Sequence, residues 1–493
     1  MLRKESKASE KSYARFSPAM HKVAQRVALF LIAALILAGD QSLLKAQQQK
    51  PAKPQAKPKL PKLTSHLVLI SISGLRADDV NDAEKLRLAI PTILALRAKG
   101  SYAVGVESVY PSQSRPAHVS IVTGVLPADH GITSDFPFVE QTGAQSTKPH
   151  LSSTEIKADT IWEAAKREGL TTAAISYPLT VGAAINFILP EAGEEKGDYN
   201  SNPPRLMNEI LHALKTESKV IPLTSKPGNL VHQTQDDFKA EAAAYLIEKY
   251  RPNLLLINFT SLDLAQKRFG IRSTETKAVM ALIDNLIKKI VSAIGLAKLA
   301  DETTFLIVSD HGSSQIEREF RPNVLLAKKG LLTTDEQGNV KSWRAIVLSF
   351  DGSAAVFLKN PQDEPTAQEV GKIFSELDKD SDNPLWRITP RRDGTRLGVD
   401  PRAVFYLDAA PRYKISSRAN GPAIAKTEER AAHGYLPSRA EMRATLIVAG
   451  KGIKANQRIE YARLIDIAPT VGRLLGLEMK SARGRVLSEV VTQ

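Results

Sequence analysis

The chain has 493 residues, with 67 Lys+Arg against 53 Asp+Glu, a net charge of +14, and no cysteine. The missing thiols exclude disulfides, thiolate metal sites and cysteine nucleophiles. The basicity does not mark a nucleic-acid surface: residues 1–62 hold 13 Lys/Arg and three acids, a net of +10, which leaves only +4 for residues 63–493.

The first 26 residues carry seven Lys/Arg, and Val27–Gly39 (VALFLIAALILAG) then runs 13 apolar or small residues without a charge. A membrane-spanning helix needs roughly 20 such residues. A basic stretch before a short apolar core reads as a secretory signal. Residues 1–46 are therefore expected to be a signal peptide with cleavage near Ala46, or else an uncleaved N-terminal membrane anchor. Either way the chain is expected to be exported, to the periplasm or the extracellular space. Residues 47–64 contain KPAKPQAKPKLPK, in which Pro and Lys alternate. That composition builds neither helix nor core and reads as an extended spacer, basic enough to lean on an anionic membrane surface.

From residue 65 apolar strands alternate with helices. LVLISI (Leu67–Ile72) reads as a buried strand, Pro91–Gly100 as a helix opened by Pro, and YAVGVESV (Tyr102–Val109) as a strand. Thr160–Gly169 reads as a helix before the strand TTAAIS, and Asp236–Tyr250 as a helix before the strand LLLINF. Glu275–Ile294 is a long amphipathic helix before the strand TFLIVS. Helices between apolar strands predict an α/β fold with a largely parallel sheet covered on both faces. The rhythm breaks at about 340–410, which predicts a small α/β lobe inserted in a domain spanning 65–493. Arg443–Gly450 then reads as a returning strand and Asp466–Leu477 as a closing helix.

Chemistry in such sheets gathers at the carboxyl ends of the strands. Four segments stand there in order: LISISGLRADD (Leu69–Asp79), YPSQSRPAHVSIVTGVLPADHGITSD (Tyr110–Asp135), LDLAQKRFG (Leu262–Gly270) followed by VSDHGS (Val308–Ser313), and AHGYLPSRAEMRA (Ala432–Ala444). The ordered set, spanning about residues 65 to 480, resembles the type I phosphodiesterase / nucleotide pyrophosphatase family of the alkaline phosphatase superfamily. The resemblance implies an alkaline-phosphatase-like fold and hydrolysis of a phosphodiester or pyrophosphate bond in a nucleotide-like small molecule. It also implies two zinc ions held by three Asp and three His. A Thr or Ser attacks phosphorus in that family. Carried over by position, Ser114 is the nucleophile, and Asp263, His433, Asp310 and His311 are metal ligands. Ser114 also stands where it would merely cap the helix that follows.

Three positions depart from the family pattern. Ser73 stands where a ligating Asp is expected, and a neutral hydroxyl is a poor substitute. Lys267 stands where a ligating His is expected; an ammonium repels a dication 4 Å away by about 8 kcal/mol at an effective dielectric of 20. Asp135 stands where an Asn donates to a phosphate oxygen, and a carboxylate would repel that oxygen. Three arrangements follow as alternatives. In the first the site is metal-free and Lys267 pairs with Asp263 or Asp135. In the second a single metal remains on Asp310, His311 and Asp135. In the third both ions are kept. The chain is then either a phosphodiesterase-like hydrolase or a pseudoenzyme that binds a phosphorylated ligand or an envelope partner. His118 and His130 accompany the motifs and are expected to make structural hydrogen bonds.

Overall fold

The computed structural model describes residues 60–191, 201–215, 231–379 and 382–493. The expected signal or anchor and most of the expected spacer lie outside the described residues. Residues 60–493 form one compact unit. Among the described residues no helix is long and apolar enough to cross a membrane.

The principal elements, in chain order, begin with β1 (His66–Ile72), α1 (Pro91–Lys99), β2 (Ser101–Ala103), α2 (Ser114–Thr123), α3 (Ile161–Arg167), β3 (Thr172–Ile175) and β4 (Phe187–Leu189). There follow α4 (Val231–Tyr250), β5 (Leu254–Phe259), α5 (Ser261–Phe269), α6 (Thr274–Leu296) and β6 (Thr303–Val308). The remainder supplies β7 (Ala345–Ser349), β8 (Ser353–Leu358), α7 (Glu364–Ser375), β9 (Leu385–Pro390), β10 (Phe405–Ala409), β11 (Leu446–Gly450), β12 (Arg458–Ile459) and α8 (Ile467–Leu475).

The central sheet has eight strands in the order β12-β2-β11-β6-β1-β5-β3-β4. β1 lies between β5 and β6 and pairs parallel with both, while β11 runs antiparallel to β6 and β2. The predicted mixed α/β fold with a largely parallel sheet is the one observed. β1 explains why the strand carries no polar alternation. Val68, Ile70 and Ile72 pack on one face with α4 and α6, and Leu67 and Leu69 pack on the other with α2, α3 and α8. Both faces are dry, so the strand interior is apolar apart from Ser71, whose hydroxyl is bonded to His118. Along α6 the buried positions Val279, Met280, Ile283, Leu286, Ile287, Ile290 and Ile294 fall at three- and four-residue steps. Thr160 and Glu163 form a capping box that opens α3.

The stretch expected to be one strand over 102–109 is two. Ser101–Ala103 pairs with β11 and β12, whereas Val106–Glu107 pairs with Ala462–Arg463 in a separate two-stranded ribbon. The change of partner falls at Gly105, where a Cβ would sit 3.0 Å from the Arg443 side chain.

A second, antiparallel sheet, β7-β8-β10-β9, is built from residues 345–409 and has its own apolar core. Its underside meets the segment after Val109: the Tyr110 hydroxyl donates to Asp408 Oδ2 at 3.1 Å. Burial pushes the Asp408 carboxyl up to about 7. The folded chain thus keeps a proton between pH 4 and 7 that the unfolded chain has released. Stability is expected to fall as pH rises through that window, by up to about 4 kcal/mol. Urea denaturation across pH 4–8 measures the slope, and Asp408→Asn is expected to flatten it.

Candidate active site

The site forms where β1, β5 and β6 end. After β1 the chain turns at Gly74, whose φ of +81° is left-handed. The Gly74 N–H donates to Asp310 Oδ1 at 3.2 Å, and the His311 N–H donates to the same oxygen at 2.9 Å. Gly312 lets this turn lie against Glu441, whose carbonyl oxygen would stand 2.0 Å from a Cβ there. α5 starts two residues beyond β5, which places Asp263 and Lys267 one turn apart on the same helix face. His433 arrives from outside the sheet. Ala431–Ala432 pairs antiparallel with the strand that follows Gly312, and the Gly352 N–H donates to the His433 carbonyl at 2.7 Å.

Four of the predicted ligand residues come together. One oxygen of Asp263 and one ring nitrogen each from His311 and His433 lie within 4.8 Å of one another. The two imidazoles stack with centroids 3.9 Å apart. Asp310 Oδ2 lies 3.3 Å from His311 Nε2. Each ring is oriented from behind. His311 Nδ1 sits 2.8 Å from the Gly312 carbonyl, and His433 Nδ1 sits 3.1 Å from the Ser112 carbonyl. Carbonyls accept only, so each ring donates from Nδ1 and turns Nε2 inward.

Lys267 occupies the place where an ion and these groups would meet. Its Nζ donates to His433 Nε2 at 3.0 Å and lies 3.1 Å from Asp263 Oδ2. Burial opposes the charge on Lys267, yet Asp263 and then Asp351 more than offset it and hold the ammonium above its usual range. Burial likewise opposes ionisation of Asp263, but Lys267 and the two imidazoles keep its carboxyl well below the usual carboxylate range. Asp310 is held low against its own burial by His311 and His118. Burial, then His311 and Lys267, push His433 down to about 4, so it is a neutral acceptor at pH 7.

The remaining departures are also accounted for. The Ser73 hydroxyl turns to Asn258 Oδ1 at 3.3 Å. Asp135 joins neither Lys267 in an ion pair nor the donor group among the described residues. Its Oδ1 accepts the Arg115 N–H at 2.7 Å, and its own N–H donates to Gln113 Oε1 at 3.2 Å. Asp135 thus covers a free N–H at the start of α2. Ser114 is the first residue of α2 rather than the residue before it. Gln113 holds the cap position, and its own side chain makes no capping bond. The Ser114 hydroxyl therefore does not cap the helix; it lies 3.2 Å from His118 Nδ1.

One expected structural histidine makes the bonds expected of it, and one contributor escaped the sequence. His118 touches the Ser114 carbonyl at 2.8 Å and Ser71 Oγ at 2.8 Å, and stands 3.5 Å from Asp310 Oδ2. Its four-residue spacing from Ser114 on one helix is the signal that pointed to this contact. Asp351 comes from the turn between β7 and β8 and acts on Lys267 across the site. No local pattern announces it.

A metal fits this donor set in one respect and not in another. Asp263 Oδ1, Asp310 Oδ2 and His311 Nε2 are buried and have no hydrogen-bond partner, and carboxylate with imidazole is the donor chemistry that zinc-like dications take without thiolate. Asp263 Oδ2 and His433 Nε2 instead face the Lys267 ammonium, so two ions do not fit.

A largely parallel sheet with Asp and His donors at its strand ends defines an alkaline-phosphatase-like α/β protein. More narrowly, the chain belongs to the type I phosphodiesterase / nucleotide pyrophosphatase family, whose sequence profile matches residues 67–436. It is 24% identical over 255 residues to human ectonucleotide pyrophosphatase/phosphodiesterase family member 1, covering 51% of this chain and 24% of that protein. It is 25% identical over 427 residues to a Caenorhabditis elegans ectonucleotide pyrophosphatase/phosphodiesterase, covering 84% of this chain and 43% of that one. The matches thus span less than half the length of these relatives. Human ectonucleotide pyrophosphatase/phosphodiesterase 5 is similar in structure, with a TM-score of 0.62 at 18% identity over 87% of this chain and 100% of that one. The murine form of that protein is known in complex with AMP, with a TM-score of 0.62 at 16% identity over 87% of this chain and all of that one.

Proposed function

We propose that the chain is an exported, metal-dependent hydrolase of a phosphodiester or phosphoanhydride bond in a nucleotide-like molecule. The observation that carries this reading is the placement of the Ser114 hydroxyl. It stands at the positive end of α2, free of capping, beside a buried Asp/His cluster with unpartnered donors. A divalent ion such as zinc, held through Asp310, His311 and Asp263, would supply positive charge to the phosphoryl oxygens. Ser114 Oγ, its proton released to solvent, attacks phosphorus as the bond to the leaving group on the opposite side breaks, and water then cleaves the phosphoserine and restores the hydroxyl. His118 steadies Ser114 and Asp310. His311 Nε2 stays available because the Gly312 carbonyl holds its other nitrogen, whereas His433 Nε2 accepts from Lys267. Export rests on the basic, apolar leader. The AMP complex of the murine relative supports a nucleotide-like ligand. The direct test is capture of a phosphoserine intermediate at Ser114 after acid quench during turnover of an aryl phosphodiester. A chain that turns over without ever carrying phosphate on Ser114 does not use this route.

A second reading, an inactive chain that retains phosphorylated ligands, is favoured by Lys267 and Ser73 at ligand positions. Phosphate binding without any turnover of aryl phosphodiesters or dinucleotides would select it.

Both readings share a consequence for Asp135. Its carboxylate occupies the Arg115 N–H, a donor at a helix start that attracts anions. Asp135→Asn removes one negative charge there. Inorganic phosphate is expected to bind about tenfold more tightly, roughly 1.4 kcal/mol. Calorimetric titration of the variant against the wild type measures it, and unchanged affinity would remove Asp135 from the ligand-binding face.

A further inference from the structure

We infer that this chain binds one divalent ion rather than two, and that the Lys267 ammonium serves as the second, built-in cation facing the substrate phosphate. The inference rests on the phosphoryl-site reading above and deepens it. Two groups of donors in the cluster differ in one respect. Asp263 Oδ2 and His433 Nε2 both turn to Lys267 Nζ, at 3.1 and 3.0 Å. Their lone pairs are in use, and a dication set between them would meet an ammonium at contact distance. Asp263 Oδ1, Asp310 Oδ2 and His311 Nε2 are buried and make no hydrogen bond, although Asp310 Oδ2 has His311 Nε2 at 3.3 Å and His118 Nδ1 at 3.5 Å. Unpaired buried carboxylate oxygens are costly, and a cation is the group that satisfies several at once.

Charge calls for a cation as well. Asp263, Asp310 and Asp351 contribute three negative charges and Lys267 one positive, so without a metal the group is net negative and repels a phosphate, and one dication neutralises it. A second dication finds no free donors beside Lys267. Lys267 stays in place because Asp263, one turn earlier on α5, and His433 hold it from two sides. Its side chain is 27% exposed, so the residue is reachable from solvent on one side. That open side is where a phosphoryl oxygen would meet it.

The experiment uses the full chain, stripped with chelator and titrated with Zn²⁺ by calorimetry, with elemental analysis after gel filtration. The wild type is expected to take one ion per chain. Asp310→Asn is expected to take none. Lys267→His, which puts a third neutral donor beside Asp263 and His433, is expected to take two. Lys267→Met removes the ammonium without adding a donor. It is expected to keep one ion but bind inorganic phosphate at least tenfold more weakly. Melting curves of the variants control for folding. Two ions in the wild type, or none, overturn the inference, and so does unchanged phosphate affinity in Lys267→Met. The hydrolysis reading is judged separately by the phosphoserine assay. One ion with phosphate binding but no turnover leaves the inference standing and removes only the hydrolysis reading. Two ions with turnover do the reverse.

Discussion

Ser114→Ala is expected to lower turnover of a p-nitrophenyl phosphodiester by about 10³-fold or more, roughly 4 kcal/mol of barrier. The hydroxyl is the atom that bonds to phosphorus, and no neighbouring side chain offers a second one in its place. Ser112 is committed to the Tyr435 carbonyl at 2.5 Å, and Ser71 to His118. What the variant keeps is binding. The Arg115 N–H, Lys267 and the carboxylate-imidazole cluster are untouched, so KM is expected to change little while kcat collapses. The fold is expected to be unaffected, within about 0.5 kcal/mol, because Ser114 is only half-buried and makes no capping bond. Ser114→Thr restores a hydroxyl on the same carbon and is expected to recover most of the rate. A loss below about tenfold in Ser114→Ala would mean that water attacks phosphorus directly.

The sequence made the sheet legible because its strands are buried on both faces. LVLISI, LLLINF and TFLIVS have no polar position that fits an exposed edge, and each follows or precedes a helix with a clear apolar stripe. Strand direction was not legible. β11 reads as one more apolar run, yet it lies antiparallel, and nothing in LIVAG encodes that. The broken strand at 102–109 was missed because partner exchange at Gly105 depends on Arg443, more than 300 residues away in the chain.

The site divides in the same way. Asp310, His311, Asp263 and Ser114 sit directly after strands or at helix starts, so short segments fix their direction. Ser73 and Lys267 were legible as departures from a pattern, but their consequences were not. That Lys267 reaches His433 as well as Asp263 depends on a chain segment 166 residues later. That Asp135 turns away to the Arg115 N–H depends on how the loop folds back over α2. Asp351 was invisible because it belongs to the second sheet and meets the site only through tertiary packing. The three departures nonetheless act on one quantity, the charge presented to a phosphate. Lys267 raises it, Asp135 lowers it, and Ser73 withdraws a carboxylate that an ion would otherwise have neutralised.

The geometry of α5, which carries both Asp263 and Lys267, depends on a buried group behind it. Asp236 is fully buried on α4 and accepts four bonds, three of them from the start of α5. These come from the Thr260 N–H at 3.3 Å, the Ser261 N–H at 3.0 Å, the Ser261 hydroxyl at 2.5 Å and Lys239 Nζ at 2.7 Å. Lys239 is itself 6% exposed and also donates to the Asn258 carbonyl at 3.0 Å. Asp236→Ala is therefore expected to destabilise the fold by about 3–5 kcal/mol, because it leaves a buried ammonium uncompensated and orphans two N–H donors at a helix start. Urea denaturation reads the loss as a lower midpoint at an unchanged slope. The joint replacement Asp236→Leu with Lys239→Leu removes both charges, and it is expected to recover a large part of the loss, since well-packed apolar pairs replace buried ion pairs at little cost. It does not restore the bonds to Thr260 and Ser261. The helix start then has freedom to shift, Asp263 moves with it, and Zn²⁺ affinity is expected to stay reduced even where stability returns. A single variant that loses less than about 1 kcal/mol would show that Lys239 finds water instead, and that α5 is held by its packing alone.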